Sequence, residues 1–295
     1  YFFRKILEIL SRHNLAAGGW EEVVLDRDQA GRTIVNSEFT DDKVIPYVWD
    51  NTGENIDLGY RIANAGYEVI LCNVTNLYFD LSYNTDPREP GLYWGGFQDA
   101  RDPFVLIPCN VFRSAFYDDF GNMKPVNEDF PGRERLKPEN RPNIKGLQAQ
   151  LWSETVKGSD MLEYYMLPKL FAFAERAWSP APAWENEADP SRRIESVNAA
   201  WNEFANRIGK LEFPRLDMLF GGFGYRIPEP GAIVSDGYVK TNVAYPGLTV
   251  RYTTDGSDPG TESPELKEPL KAEGPVRLRA FTSSGRAGRT VVIDF

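Results

Sequence analysis

An α/β fold followed by a small all-β domain is the architecture that this 295-residue sequence predicts. Strand-like and helical segments alternate over residues 1–222, which is typical of a parallel sheet built from βα units. From about Tyr225, two-residue alternation with β-branched residues and frequent turn signals replaces the helical pattern. We therefore predict two domains, residues 1–222 and residues 223–295, joined near the glycine-rich segment "LFGGFGYR".

The α/β part begins with a helix and a strand, and the pattern then repeats. Apolar side chains at helical spacing predict a helix over residues 4–13, and the segment "LAAGGWEEVV" predicts the first strand. The second strand, "KVIPYVWD", precedes the helical segment "NIDLGYRIANAG", whose Gly66 suits the position just after a helix.

Two further strands complete the predicted sheet. The near-continuous apolar run "YEVILCNV" is typical of a strand covered on both faces. After an irregular stretch rich in Pro, Gly and aromatic residues, residues 144–156, "IKGLQAQLWSETV", predict the fourth strand. Helices are expected over residues 159–178, split by Pro168, and over roughly residues 191–211. Four parallel strands fit either an open doubly wound sheet that lacks the Gly-rich phosphate turn, or half of a (β/α)8 barrel.

The composition argues against several classes of function. A net charge of −10 disfavours a nucleic-acid partner, because binding to phosphate backbones uses clustered Lys and Arg. The longest apolar runs are well below about 18 residues, so we predict no membrane span. His13 is the only histidine, and Cys72 and Cys109 lack metal-binding spacing. We therefore predict neither a metal site nor a cofactor.

Aromatic and acidic side chains come at the carboxyl ends of the predicted strands. A two-residue spacing places Trp152 and Glu154 on one face of the fourth strand, which in a barrel points inward and reaches the rim where barrel enzymes hold their sites. The other three strands also end with aromatic residues: Trp20, Trp49, and Tyr78 followed by Asp80. Sugars stack their C–H faces on aromatic rings and donate hydroxyls to carboxylates. Each residue alone would more often be a core or salt-bridge residue, but the shared position favours a sugar pocket.

The segments around these residues resemble family 20 glycoside hydrolases, the β-N-acetylhexosaminidases and chitobiases, in their order and setting: "GGWEEVV", "YVWD", "NLYFDLSY", "LQAQLWSE" and "LPKLFAFAERAWSP". The tail from about residue 225 resembles the small C-terminal β-domain of many bacterial members. The resemblance implies the C-terminal half of a (β/α)8 TIM barrel, followed by a small all-β immunoglobulin-like sandwich.

The resemblance also implies a role for each strand-end residue. Three tryptophans would line the pocket for the terminal N-acetylhexosamine: Trp20, Trp49 and Trp152. Tyr78 would donate its hydroxyl to the acetamido carbonyl oxygen, while Asp80 and Glu154 would accept hydrogen bonds from ring hydroxyls. Trp94, in "GLYWGGF", would stack on the sugar on the leaving side.

One part of the family's catalytic pattern does not occur in this sequence. In the family an adjacent Asp-Glu pair supplies the general acid and orients the substrate's acetamide, yet this chain contains no Asp-Glu dipeptide. We therefore expect a C-terminal fragment of an enzyme that removes terminal N-acetylhexosamine from glycans by substrate-assisted retaining hydrolysis. The fragment alone is expected to be inactive.

The resemblance suggests a periplasmic, cell-surface or secreted protein. The exposed strand edges and apolar interior of a half barrel predict self-association or substantial rearrangement.

Two other interpretations stay open at this point. The aromatic box and the β-domain would also suit a non-catalytic carbohydrate-binding protein. A self-contained glycosidase could instead use Glu22 and Glu154 as its carboxylate pair, which requires a separation of no more than about 10 Å.

Overall fold

The computed structural model describes residues 1–114 and 130–294, which fall into two compact units. The first unit comprises residues 1–156 and 169–193, and the second comprises residues 157–168 and 194–295. Every helix among the described residues is too short or too polar to cross a bilayer. The domain boundary expected after residue 222 stays a prediction.

The described part of the first unit contains a four-stranded parallel sheet. Its strands, with a separate hairpin, are β1 (Ala17–Trp20), β2 (Leu25–Arg27), β3 (Thr33–Val35), β4 (Val44–Val48), β5 (Val69–Leu71) and β6 (Ile144–Leu147). The sheet order is β1-β4-β5-β6. Strands β2 and β3, which lie between β1 and β4 in the sequence, pair antiparallel with each other in a separate sheet. The order follows the sequence without the reversal of a doubly wound sheet, as it does in a barrel. All four predicted parallel strands are confirmed.

Helices follow or precede these strands; the longer ones lie where the periodicity predicts them, whereas the short helices at residues 74–77, 101–105 and 213–218 were not predicted. The described residues form α1 (Phe2–Arg12), α2 (Leu58–Asn64), α3 (Val74–Leu77), α4 (Arg101–Val105), α5 (Ser159–Met166), α6 (Lys169–Trp178), α7 (Pro190–Arg207) and α8 (Phe213–Met218). The predicted break at Pro168 is confirmed, because α5 and α6 end and begin on either side of it. Gly66 has a φ of 105°, a left-handed conformation that glycine adopts without steric cost just after α2.

One face of the sheet packs against helices. Leu58 and Ile62 of α2 are buried against Val48, Val69 and Leu71 of the neighbouring strands. The apolar side of α1 contacts the same cluster. The helices therefore cover one face of the sheet. Side chains on the other face, and those that follow the carboxyl ends of the strands, can contribute to a site.

The fourth strand is shorter than the sequence predicts. β6 ends at Leu147, so the expectation of a strand reaching residue 156 is wrong for its second half. The cause is α3, a one-turn helix that follows β5 and interrupts the ladder of hydrogen bonds. Pairing resumes only at an isolated parallel bridge between Tyr78 and Gln150, where the Phe79 N–H donates to the Gln150 carbonyl over 2.7 Å. Gln148, the first residue after β6, is exposed.

The second unit contains two antiparallel three-stranded sheets. Their strands are β7 (Gly231–Ser235), β8 (Tyr238–Asn242), β9 (Thr249–Thr253), β10 (Leu270–Lys271), β11 (Val276–Phe281) and β12 (Ala287–Ile293). The sheet orders are β10-β8-β7 and β12-β11-β9. Val239, Val250, Val276 and Leu278 from both sheets form one buried cluster. The predicted all-β character is confirmed, while the immunoglobulin-like topology stays a prediction.

Candidate functional site

Five aromatic side chains, four from segments at or after the ends of the parallel strands and one from a loop, form one continuous cluster in the first unit. The distances between ring centroids are 6.0 Å for Trp20–Trp152, 6.3 Å for Trp152–Tyr78, 5.9 Å for Tyr78–Trp94 and 6.0 Å for Trp94–Trp49. All four pairs are tilted or edge-to-face, which leaves ring faces available for a further partner. The sequence predicted all five residues as site residues, and the fold brings them together.

The sheet explains why these rings meet. Trp20 is the last residue of β1, Trp49 follows β4 directly, and Tyr78 follows the single turn of α3 after β5. The bridge between Tyr78 and Gln150 sets the segment after β6 beside the segment after α3. Since neighbouring parallel strands end at one edge of a sheet, side chains distant in sequence converge there.

Asp80 is a buried carboxylate beside this cluster, with 1% of its surface exposed. Its Oδ1 accepts a hydrogen bond from the Trp152 main-chain N–H over 3.3 Å, whereas its Oδ2 has no partner among the described residues. Burial raises the pKa of Asp80, and the negative charge of Glu154 raises it further. A buried acceptor without a partner carries a desolvation cost, which a ligand hydroxyl would remove.

Tyr78 is also buried, and its main chain is held by Gln98 and by the bridge to Gln150. Its main-chain N–H donates to Gln98 Oε1 over 3.1 Å. Burial raises the pKa of the Tyr78 hydroxyl well above its ordinary value, against the opposing effect of a side-chain hydrogen bond with Trp152. The hydroxyl therefore stays protonated at neutral pH and is able to donate a hydrogen bond.

Two regions of the chain match known protein families. Residues 1–181 match glycosyl hydrolase family 20, catalytic domain, and residues 212–290 match the chitobiase/beta-hexosaminidase C-terminal domain. The chain belongs to glycosyl hydrolase family 20. Its described fold is accordingly a portion of an α/β barrel together with a β domain.

Alignments with similar proteins cover most of this family 20 chain. An N,N'-diacetylchitobiase of Vibrio harveyi is 35% identical over 238 residues, which are 77% of this chain and 25% of that protein. A beta-hexosaminidase of Vibrio vulnificus is 26% identical over 313 residues, covering 99% of this chain and 35% of that protein. The chain thus spans about a quarter to a third of the length of these relatives.

A solved structure of the GH20 beta-N-acetylhexosaminidase from Streptomyces coelicolor A3(2) is 21% identical, with a TM-score of 0.42. The match covers 68% of this family 20 chain and 33% of that one.

The remaining site residues of the family 20 chain lie at the margin of the cluster. Glu154 is exposed, and it lies close enough to Asp80 for its charge to act on that carboxyl group. Trp94 is 56% exposed and contacts both Trp49 and Tyr78 through ring edges. What the seven residues bind stays a prediction.

Sequence reasoning missed three residues that position the site. The buried carboxylate of Glu21 accepts hydrogen bonds from the main-chain N–H groups of Trp49 and Asp50, both over 3.1 Å, and so ties the end of β1 to the end of β4. Gln98, besides accepting from Tyr78, donates from Nε2 to the Val74 carbonyl.

Lys169 holds the backbone on both sides of Asp80. This fully buried residue donates from Nζ to the carbonyls of Phe79, over 3.0 Å, and Leu81, over 2.8 Å. The same ammonium lies 3.9 Å from the ring centroid of Tyr83. Glu21 next to a strand end and a lysine opening an apolar helix in "LPKLFAFA" were the available sequence signals.

Glu21 gives a test of this positioning through its titration. Burial raises its pKa from 4.5 to about 7, against the opposing effect of the two N–H donors. The folded state therefore binds the proton more tightly than the unfolded chain, and the stability contributed by Glu21 falls as the pH rises from about 4.5 to about 7. We expect the free energy of unfolding of Glu21→Gln, relative to the unsubstituted chain, to rise by about 2–3 kcal/mol between pH 5 and pH 8.

Urea unfolding at the two pH values measures this difference. Glu22→Gln is the matched control, because it removes the same charge from the exposed neighbouring residue. A Glu21→Gln difference that is equal at pH 5 and pH 8 would contradict the inferred burial of an ionisable Glu21 at the site.

Proposed function

We propose that this protein is a β-N-acetylhexosaminidase acting on glycans that end in N-acetylhexosamine, and that the strand-end cluster holds the terminal sugar. The observation that carries the proposal is the cluster of five rings beside Asp80, whose buried carboxylate oxygen Oδ2 lacks a partner among the described residues. Membership of family 20 supports the same conclusion.

Each group in the cluster suits one part of an N-acetylhexosamine. The rings of Trp20, Trp49 and Trp152 offer faces for the apolar C–H surface of the sugar. The Asp80 carboxylate, with the exposed Glu154 nearby, accepts hydrogen bonds from ring hydroxyls. The protonated hydroxyl of Tyr78 donates to the carbonyl oxygen of the acetamido group.

The proposed chemistry is substrate-assisted retaining hydrolysis. The acetamido oxygen attacks the anomeric carbon as the bond to the leaving oxygen breaks, a general acid gives that oxygen its proton, and water then opens the cyclic intermediate. A hydrogen bond from Tyr78 fixes the acetamido oxygen in an attacking geometry, and the tryptophans keep water from the ring. This segment therefore supplies binding and positioning.

Proton donation is the part of the reaction that we do not attribute to the segment. The family resemblance assigns it to an Asp-Glu pair, and the sequence has no such dipeptide. A general acid typically contributes about 10²- to 10⁴-fold, so the chain alone is expected to bind the sugar without turnover.

Two other functions can be compared with this proposal: a glycosidase that uses Glu22 and Glu154, and a carbohydrate-binding protein without catalysis. Glu22 lines a groove of about 720 Å³ next to α1, together with Phe3 and Leu10, whereas Glu154 acts on Asp80. Because the two glutamates have different surroundings, a catalytic Glu22–Glu154 pair is not favoured. The distance between their carboxyl groups stays a prediction. A carbohydrate-binding protein without catalysis would use the same cluster, and family membership favours the hydrolase.

Calorimetric titration of the full 295-residue chain tests the proposal. We expect N-acetylglucosamine to bind about tenfold more tightly than glucose, because only the former offers an acetamido group to Tyr78. Trp152→Ala should weaken N-acetylglucosamine binding at least about tenfold, since it removes the ring between Trp20 and Tyr78. Trp178→Ala is the matched control, because that tryptophan is 88% exposed and outside the cluster.

Turnover of a chromogenic N-acetyl-β-glucosaminide is measured alongside. Binding without turnover is the expected result. Equal affinity for glucose and N-acetylglucosamine would refute the proposed pocket. Rapid turnover by the chain alone would refute the proposal that it lacks the general acid.

A further inference from the structure

Three large aromatic side chains are exposed on one short loop beside the proposed pocket. Tyr93 is 72% exposed, Trp94 is 56% exposed and Phe97 is 37% exposed. Single exposed apolar residues are normal on protein surfaces, but three aromatic rings within five residues form a patch that indicates binding. Trp94 already has an expected role, whereas Tyr93 and Phe97 have none.

Tyr93 and Phe97 stack on each other. Their ring centroids lie 6.4 Å apart and their planes differ by 17°. The two stacked rings leave outer ring faces exposed to solvent, and this pair is here called the Tyr93–Phe97 platform. No residue from Gly91 to Phe97 carries a charged side chain, so the loop favours a neutral partner.

The loop is fixed to the segment that carries the site residues. The Leu92 N–H donates to the Asp80 carbonyl over 3.3 Å, and the Ser82 N–H donates to the Leu92 carbonyl over 2.8 Å. Gly91, with a φ of 122°, lies so close to this segment that a Cβ would be 2.8 Å from the Asp80 carbonyl oxygen. At the other end of the loop, the Gln98 N–H donates to the Ser82 carbonyl over 2.9 Å.

A platform held in this way loses little conformational entropy when a ligand binds. It is also adjacent in the chain to the proposed pocket. Trp94 contacts Tyr78 and Trp49 of the cluster and directly follows Tyr93, so the Cα atoms of Tyr93 and Trp94 are about 3.8 Å apart. A glycan that is longer than the sugar in the pocket can therefore extend across Trp94 toward the platform.

From this placement we infer that the Tyr93–Phe97 platform binds a further sugar residue on the leaving-group side of the glycan. The inference rests on the proposed function and extends it by naming the substrate class. The preferred substrate is an oligosaccharide of at least three sugars, with one in the pocket, one on Trp94 and one on the platform. Aromatic faces and the Tyr93 hydroxyl suit the C–H surface and the hydroxyls of a neutral sugar.

The test compares S-linked analogues of the β-1,4-linked di- and trisaccharides of N-acetylglucosamine, whose thioglycosidic bonds resist hydrolysis. In calorimetric titrations of the full chain, the trisaccharide should bind about three- to tenfold more tightly than the disaccharide. The double variant Tyr93→Ala/Phe97→Ala should lose this gain while its affinity for the disaccharide stays the same. Tyr93→Trp should retain the gain because it keeps an aromatic face, and Trp178→Ala serves as the control for removal of an exposed ring.

The outcomes separate this inference from the proposed function. If the unsubstituted chain binds both saccharides equally, or if the double variant keeps the gain, the platform inference is wrong while the pocket stands. If neither saccharide binds, both are wrong. If sedimentation shows self-association that the double variant abolishes, and the trisaccharide gain is absent, the platform is an interface between copies of the chain instead.

Discussion

Replacing Asp80 with asparagine is expected to lower the affinity for N-acetylglucosamine about 10- to 100-fold, because hydrogen bonds to a charged acceptor contribute about 1.5–3 kcal/mol. Asp80 is the buried carboxylate of the cluster, and its Oδ2 has no partner among the described residues. Asparagine keeps the size of the side chain but removes the charge and turns one acceptor into a donor. A ligand hydroxyl that donated to Oδ2 would then face an N–H group.

The same carboxylate predicts the pH dependence of binding. Only the ionised form accepts hydrogen bonds with both oxygens, and burial together with the charge of Glu154 raises the pKa of Asp80. Affinity should therefore be full above this raised pKa and should fall as the pH decreases through it, at a higher pH than for an ordinary aspartate. The Asp80→Asn variant should not show this transition.

Calorimetry across a pH series, with circular dichroism to confirm folding, measures both effects. Asp41→Asn is the matched control, because Asp41 is exposed and precedes β4, whereas Trp49 of the cluster follows that strand. An Asp80→Asn variant that folds and binds N-acetylglucosamine as tightly as the unsubstituted chain would show that Asp80 does not contact the sugar.

Replacing Tyr78 with phenylalanine is expected to remove most of the preference for N-acetylglucosamine over glucose, a loss of about tenfold in selectivity. The substitution keeps the ring contacts with Trp152 and Trp94 and deletes only the hydroxyl. Since the hydroxyl is proposed to donate to the acetamido oxygen, affinity for glucose should change little. The effect on N-acetylglucosamine is the larger of the two because its carbonyl oxygen loses its donor.

Paired titrations with the two sugars distinguish this role from a structural one. A general weakening of the pocket would reduce both affinities in parallel, and such a result would argue against Tyr78 as the acetamide donor. Tyr238→Phe provides the control, because it removes a hydroxyl from a partly exposed tyrosine in the second unit.

Much of the site could be predicted from the sequence because the signals for it, residue spacing and strand–helix alternation, lie in short segments. A two-residue spacing in a predicted strand pointed to Tyr78 and Asp80 as a pair, although the structure has a turn at residues 79–80 in place of an extended strand. The alternation of strands and helices then predicted that their carboxyl ends share one edge of a sheet. The family motifs gave the same residues, and residues 223–295 were predicted as all-β from their alternation.

The length of the fourth strand could not be predicted in the same way. The alternation in residues 144–156 is continuous, but the strand ends at Leu147 because α3 interrupts the neighbouring strand after Leu71. Regular pairing needs two partners in register, and a pattern in one segment carries no information about an interruption in the other.

The sequence by itself therefore determined the order of the parallel strands and the main helices, and which residues lie at or after the carboxyl ends of those strands. Only the tertiary structure decided how those residues are held, through Glu21 between two strand ends and Lys169 on the carbonyls beside Asp80. Spacing along a chain reflects local backbone geometry, whereas a buried charge finds its partners among groups that the fold brings near it from distant segments.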